Sequence, residues 1–391
     1  MEICGKHGMT GEVITLTLES SKITRIRHGA TSNALGGADV WLSAGFCDIQ
    51  LNGFGGYDFN LGAWGDSHEI THDIPLLLRK IATSGTALFC PTLTTNSFDN
   101  LREALSLLTH YIGSDDPYAK CVTGIHVEGP YISNLDGPRG AHPLEFVRDP
   151  DWEEFCALQE AADGAIKILT LAPERPGSIS FIEKVVASGV VVALGHTGAE
   201  PEVIREAVLA GATLSTHLGN AAHGMIKRHP NYIWEQLAHD SLFASLITDG
   251  HHLPASVVKS MVRAKGVDRV ALVSDAVALA GLPAGKYMQG RYEVLPTGKI
   301  VLADTPYLAG AGHLLDTCIS NALHMTEMPL ASILNSVTAV PARILGQEHR
   351  KGHLRVGCDA DLTLFRLPTE VGKPLDIVAT LCEGDILYQA Q

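Results

Sequence analysis

The feature that most constrains this chain is an alternation that runs through its middle. Eight short apolar runs, at 45–51, 86–91, 122–128, 166–171, 190–196, 213–217, 243–249 and 269–275, are separated by longer polar-apolar stretches. Most runs are nearly continuous in Val, Ile, Leu and Ala, as expected of parallel strands covered on both faces. Amphipathic helical patterns occupy 74–84, 101–112, 152–162, 180–188 and 201–210. Eight strands with helical crossovers predict an α/β fold of the (β/α)8, or TIM, barrel type. An open doubly wound sheet is the competitor. It normally carries a GxGxxG turn after its first strand, and the GFGGY at 53–57 lacks that spacing.

The ends read differently. Residues 12–42 and 353–391 alternate with period two, as half-buried strands do. Neither stretch can bury a core alone. The expectation is a small β-sandwich built by both termini, residues 1–44 plus 350–391, beside a barrel at 45–349.

Composition narrows the class of function. Of 391 residues, 46% are hydrophobic and 18% charged, so the chain can bury a large core and is not disordered. A net charge of −14 disfavours nucleic acid and anionic membrane as partners. The opening MEICGKHGMTGEVITL is not a secretory leader, and no run of about 18 apolar residues occurs, so a cytoplasmic protein is expected. Eight scattered cysteines without a CxxC pair read as reduced thiols, not as a disulfide framework or a thiolate zinc site.

Catalytic groups of such barrels stand at the C-terminal ends of strands. The first run ends in Asp48, Gln50 and Asn52; the third in His126 and Glu128; the fifth in His196; the sixth in His217. The seventh ends in Asp249, followed by His251 and His252, and the eighth in Asp275. Glu128, His196 and His217 make a plausible ligand set for one divalent ion, zinc foremost, with iron, cobalt and manganese also suited. Three protein ligands leave a position open for water, and Asp275 is placed to take its proton. A lone histidine at a strand end is usually a hydrogen-bonded structural residue. Four suitable groups at four strand ends facing one mouth are harder to explain that way. Asp48 suits a structural role at the lip as well as chemistry, and His126 is evenly poised between pocket and core. His7, His28, His68, His72, His110, His239, His324, His349 and His353 lie in end segments, helices or loops and receive no role.

GFCDIQLNGFGGYDF, GIHVEGPYI, GAHP, LGHTGA, STHLGNA, DGHHL and VSDA occur in this order, with LAGAGHLLDTCISNAL and GHLRVGCDADLTLF closing the chain. From about residue 40 onward the sequence resembles the N-acetylglucosamine-6-phosphate deacetylases of the amidohydrolase superfamily. The resemblance implies the barrel with its small β-sandwich, a homodimer, and hydrolysis of an N-acetyl amino sugar to acetate and the free amine. It implies metal ligation by Glu128, His196 and His217, with Asp275 as acid and base. It implies that His142 bonds the acetamide carbonyl and that Asn220, Ala221 and Arg228 hold the phosphate, the arginine often across a subunit boundary. It also implies that His252 binds the sugar, with His251 the weaker candidate. Many amidohydrolases carry HxH on the first strand for a second metal. Gln50 and Asn52 stand there, and Ala172 and Pro173 stand where a bridging lysine would follow the fourth strand, so one metal is expected beside a vacant second position. Gly219, Ala222, His229 and Asn231 depart from the family pattern where phosphate and sugar are held. An unphosphorylated or related amino sugar, another N-acyl or cyclic amide, and a non-catalytic scaffold on the same fold are the alternatives.

Overall fold

The computed structural model describes residues 1–62, 71–305 and 307–391. Eight parallel strands follow one another around a barrel: β1 (Phe46–Leu51), β2 (Thr86–Thr94), β3 (Ile125–Glu128), β4 (Ile166–Leu171), β5 (Val191–Leu194), β6 (Leu214–Ser215), β7 (Phe243–Ile247) and β8 (Val270–Val273). Each pairs with its sequence neighbour. The seam between β8 and β1 is closed by the Asp275 N–H to Gln50 carbonyl bond, 2.9 Å. Asp48 reinforces it: its buried carboxylate accepts the Ser274 hydroxyl at 2.5 Å and the Gln50 N–H at 3.2 Å. Burial pushes this carboxyl up to about 7. Asp48 is therefore a seam staple.

A helix follows every strand: Ile74–Ala82, Phe98–Ile112, Trp152–Ala161, Ser178–Ala187, Pro201–Leu209, Tyr232–Ala238, Ala255–Lys265 and Leu315–Thr326. The first shows why. Asp73 caps its N-terminus by accepting from Leu76 N–H, Pro75 sits in the first turn, and Ile74, Leu77, Leu78 and Ile81 form the buried face. Among the described residues no helix is long and apolar enough to cross a membrane.

The termini build a separate seven-stranded sheet. Its order is Asp385–Gln389, Asp376–Cys382, Leu362–Arg366, Leu35–Ala44, Glu2–His7, Val13–Glu19, Lys22–His28, antiparallel except where Glu2–His7 meets Leu35–Ala44. The sheet curls enough for Ile23 N–H to reach the Cys358 carbonyl at 3.0 Å. Ile3, Leu16, Ile23, Leu42, Leu362 and Leu381 form its own core. Lys351 is buried in it and pairs with Asp359 at 2.9 Å and Asp361 at 2.8 Å. Gly85, with φ +80°, lets this sheet meet the barrel, since a Cβ there would stand 2.7 Å from Thr363 Cγ2.

Several strands are shorter than the sequence predicts. β6 pairs over Leu214–Ser215, and β3 begins at Ile125, with Val122 making an isolated bridge to Phe89. GFGGY is a β-hairpin, Gly53–Phe54 against Tyr57–Asp58, and its Gly55 and Gly56 N–H groups bond Ala280 and Ala278 carbonyls. A three-stranded insertion, Gly285–Tyr287, Tyr292–Val294 and Ile300–Leu302, was not foreseen; strands of three residues leave no periodicity to read. His68 falls outside the described residues.

Candidate active site

The mouth is built two residues past the strand ends. His196 follows β5, His217 follows β6 and Asp275 follows β8 by that interval, while Glu128 is the last residue of β3. All three of the former take left-handed backbone, with φ of 50°, 29° and 49°. That conformation breaks the ladder, turns each side chain inward, and costs of order 1–3 kcal/mol per residue. It explains why the paired strands stop short of these residues.

Three ligand-type atoms converge there. Glu128 Oε1 lies 3.1 Å from His196 Nε2 and 3.0 Å from His217 Nε2, and the two imidazole nitrogens are 3.1 Å apart. All three residues are buried. Bonds of about 2.0–2.1 Å to one tetrahedral ion require ligand atoms about 3.3 Å apart, close to this spacing. The donor chemistry points the same way. His196 Nδ1 lies 3.0 Å from the Pro138 carbonyl, which can only accept, so the neutral ring aims a lone pair from Nε2 at the carboxylate. A lone pair facing an anion asks for a cation between them, and with His217 Nε2 3.0 Å from the same carboxylate oxygen the residues present fit a divalent ion.

Two amides tie the carboxylates together. Gln50 Nε2 donates to Glu128 Oε1 at 2.8 Å, and Asn52 Nδ2 donates to Asp275 Oδ1 at 2.9 Å. Carboxylates only accept, so both amide orientations follow, and the buried oxygens Gln50 Oε1 and Asn52 Oδ1 have no partner among the described residues. Burial first, then the charge of Glu128, pushes Asp275 up to about 6. His142 packs its ring 4.3 Å from that of His196, and its Nδ1 is 2.7 Å from the Thr95 hydroxyl. Burial, with His196 second, pushes it down to about 3, so it is neutral.

The remaining predicted residues line up less tightly. His252 is held by Asp249, Nδ1 to Oδ2 at 2.8 Å, and sits close enough for its charge to act on Asp275. His251 turns toward the insertion instead, bonding the Thr297 carbonyl at 3.2 Å and stacking on His313 at 5.8 Å. Asn220 donates from Nδ2 to the His217 carbonyl at 3.1 Å, and Ala221 has φ 46°. Arg228 lies in the exposed loop 224–230. His126 is a core residue: Nδ1 bonds the Ile49 carbonyl at 3.0 Å, Nε2 the Thr170 hydroxyl at 2.7 Å, and burial pushes it down to about 4.

The sequence reading passed over Thr95, Glu174, His223 and His313. His223 bonds the Tyr232 hydroxyl through Nδ1 at 3.0 Å, close behind Asn220 and Ala221. Only its place three residues beyond Asn220 could have pointed to it.

Fold and site together define a (β/α)8 protein with a buried Glu–His–His cluster that could hold a metal ion and a carboxylate at its mouth. A model of the amidohydrolase family matches residues 41–387. The N-acetylglucosamine-6-phosphate deacetylase of Bos taurus is 34% identical over 359 residues, covering 90% of this chain and 84% of its own length. The crystal structure of N-acetyl-D-glucosamine-6-phosphate deacetylase from Mycobacterium smegmatis matches with a TM-score of 0.85 at 27% identity, over 99% of this chain and 100% of that one. A mutant of the Mycobacterium smegmatis enzyme in complex with N-acetyl-D-glucosamine-6-phosphate matches with a TM-score of 0.84 at 27% identity, over 99% of both chains. The chain belongs to the N-acetylglucosamine-6-phosphate deacetylase family of the amidohydrolases.

Proposed function

We propose that this chain hydrolyses the acetamide of N-acetylglucosamine 6-phosphate to acetate and the free amino sugar. The observation that carries this reading is the convergence of Glu128, His196 and His217 beside Asp275, in a family whose relatives bear that activity in their names. Glu128, His196 and His217 would hold one divalent ion, zinc by preference; such an ion supplies Lewis acidity and a water nucleophile at neutral pH. Asp275, oriented by Asn52, takes the proton of the attacking water and returns it to the leaving nitrogen. His142 Nδ1 and the Thr95 hydroxyl share a hydrogen bond at 2.7 Å; with the hydroxyl as donor the ring proton sits on Nε2, the tautomer that would hydrogen-bond the carbonyl oxygen as it gains charge. Gln50 and Asn52 fill the second-metal position with amides that steer the two carboxylates. Asn220 and Ala221 would hold the phosphate, and His252, with His251 at the rim, the sugar hydroxyls.

Arg228 stands in an exposed loop, which suits a homodimer in which it reaches the neighbouring mouth. Eight free cysteines, seven of them buried, suit a reducing cytoplasm. The division into 1–44 plus 350–391 and 45–349 belongs to the same reading. The test is amine release over a panel of N-acetyl hexosamines with and without 6-phosphate. Turnover of the phosphorylated glucosamine derivative is expected to exceed the others. Preference for an unphosphorylated sugar would move the assignment to a related deacetylase, and Arg228→Ala should lose activity only toward the phosphorylated substrate.

A further inference from the structure

We propose that Glu174 is a positioning residue for the metal ligand His196, an inference that rests on reading Glu128, His196 and His217 as a metal centre. β4 ends at Leu171 and is followed by Ala172, Pro173 and Glu174, so its end supplies no ligand of its own. Glu174 instead reaches sideways to the end of β5. Its Oε2 accepts the Thr197 hydroxyl at 2.5 Å, and its Oε1 accepts the Gly198 N–H at 2.8 Å. These are the two residues directly after His196. The Thr197 hydroxyl oxygen in turn accepts the Ala199 N–H at 3.0 Å, so one carboxylate ties down the whole turn.

The turn needs such an anchor. His196 has φ 50°, a conformation that a non-glycine residue keeps only when its surroundings hold it. The Ser133 N–H bonds its carbonyl at 3.0 Å and the Pro138 carbonyl fixes its ring. Both anchors come from the loop after β3; among the described residues Glu174 ties the far side, where the chain departs toward the next helix. His217 has the same left-handed backbone and a parallel anchor, since its N–H bonds Ser245 Oγ at 2.7 Å on β7. Each metal-binding histidine is thus steadied from an adjacent strand that gives the metal nothing. The carboxylate matters because the O–H and the N–H must be accepted at once by two oxygens; a glutamine offers one.

The test measures cobalt(II) affinity by chelator competition, with the visible absorption of the bound ion, in the full-length protein. Wild type is expected to bind one ion. Glu174→Ala should weaken binding by about 10- to 100-fold and shift the absorption, with Glu174→Gln intermediate. Thr197→Val should also weaken it, while Thr197→Ser, which keeps the hydroxyl, should bind as wild type does. A wild type that binds no metal overturns the metal-centre reading itself. Wild-type affinity and spectrum in Glu174→Ala overturn the positioning role alone. If Glu174→Ala fails to fold, equal affinities of Thr197→Val and Thr197→Ser overturn it instead.

Discussion

In the proposed reaction Asp275 and His142 do different work on one amide, and their variants should separate. Asp275→Asn keeps a partner for Asn52 and leaves the ligand set untouched, so metal content should stay near one per chain. Turnover should fall by roughly 10³-fold, because the proton carrier is gone. Elemental analysis alongside kcat checks both halves, and near-normal turnover would sink the assignment. His142→Ala removes a donor to the developing oxyanion and should lower kcat by about 100-fold with little change in metal content. Glu128 and the histidines, by contrast, should lose metal and activity together. The difference lies in which atoms face the ion and which face the substrate.

The barrel's eight strands and five of the eight helices that follow them are readable because continuous apolar runs and amphipathic stretches leave strong periodic signals. The four chemical groups at the mouth were readable for a related reason: polar residues ending apolar strands stand out. What could not be read is how those residues leave the strand. The left-handed turns at His196, His217 and Asp275 are set by partners distant in sequence, such as Glu174 and Ser245, and no local pattern marks them. His126 shows the converse. It alternates with Glu128 on the same strand, yet its two hydrogen bonds go to β1 and β4 inside the barrel. The three short strands of the insertion lack length, and GFGGY, without the GxGxxG spacing, is a hairpin whose glycine N–H groups bond Ala280 and Ala278 carbonyls. Contacts between elements make their own predictions. Gly85→Ala places a methyl group against Thr363 at a positive φ, so the urea midpoint should fall by the equivalent of about 1–3 kcal/mol. An unchanged midpoint would show that the sheet shifts freely on the barrel.

At the scale of the whole chain, the proposed ion and the buried charges should both contribute to stability. A bound ion at 100 times its Kd adds about 2.7 kcal/mol, so chelation should lower Tm and added metal restore it. Lys351→Met strands Asp361 beside a half-satisfied Asp359 and should destabilise by about 3 kcal/mol or more, read from denaturant unfolding. Burial works against the Asp359 charge, but bonds from Lys22 and Lys351 outweigh it and hold its carboxyl below the ordinary value. A depressed carboxyl contributes stability above its unfolded value of about 3.9, and that contribution is lost as pH falls through the folded value. The Tm advantage of wild type over Asp359→Asn should therefore shrink below about pH 4 and hold at pH 6. The sheet in which these charges sit joins the first and last parts of the chain. Leu35–Ala44 runs straight into β1, and one of its edges is paired by Leu362–Arg366. During synthesis, most of the barrel leaves the ribosome while that edge still has unpaired N–H and C=O groups. The nascent protein therefore passes through a long interval in which a sticky strand is open to other chains. A stop codon that removes about the last 30 residues would make that interval permanent, and an otherwise intact barrel sequence would be expected to aggregate.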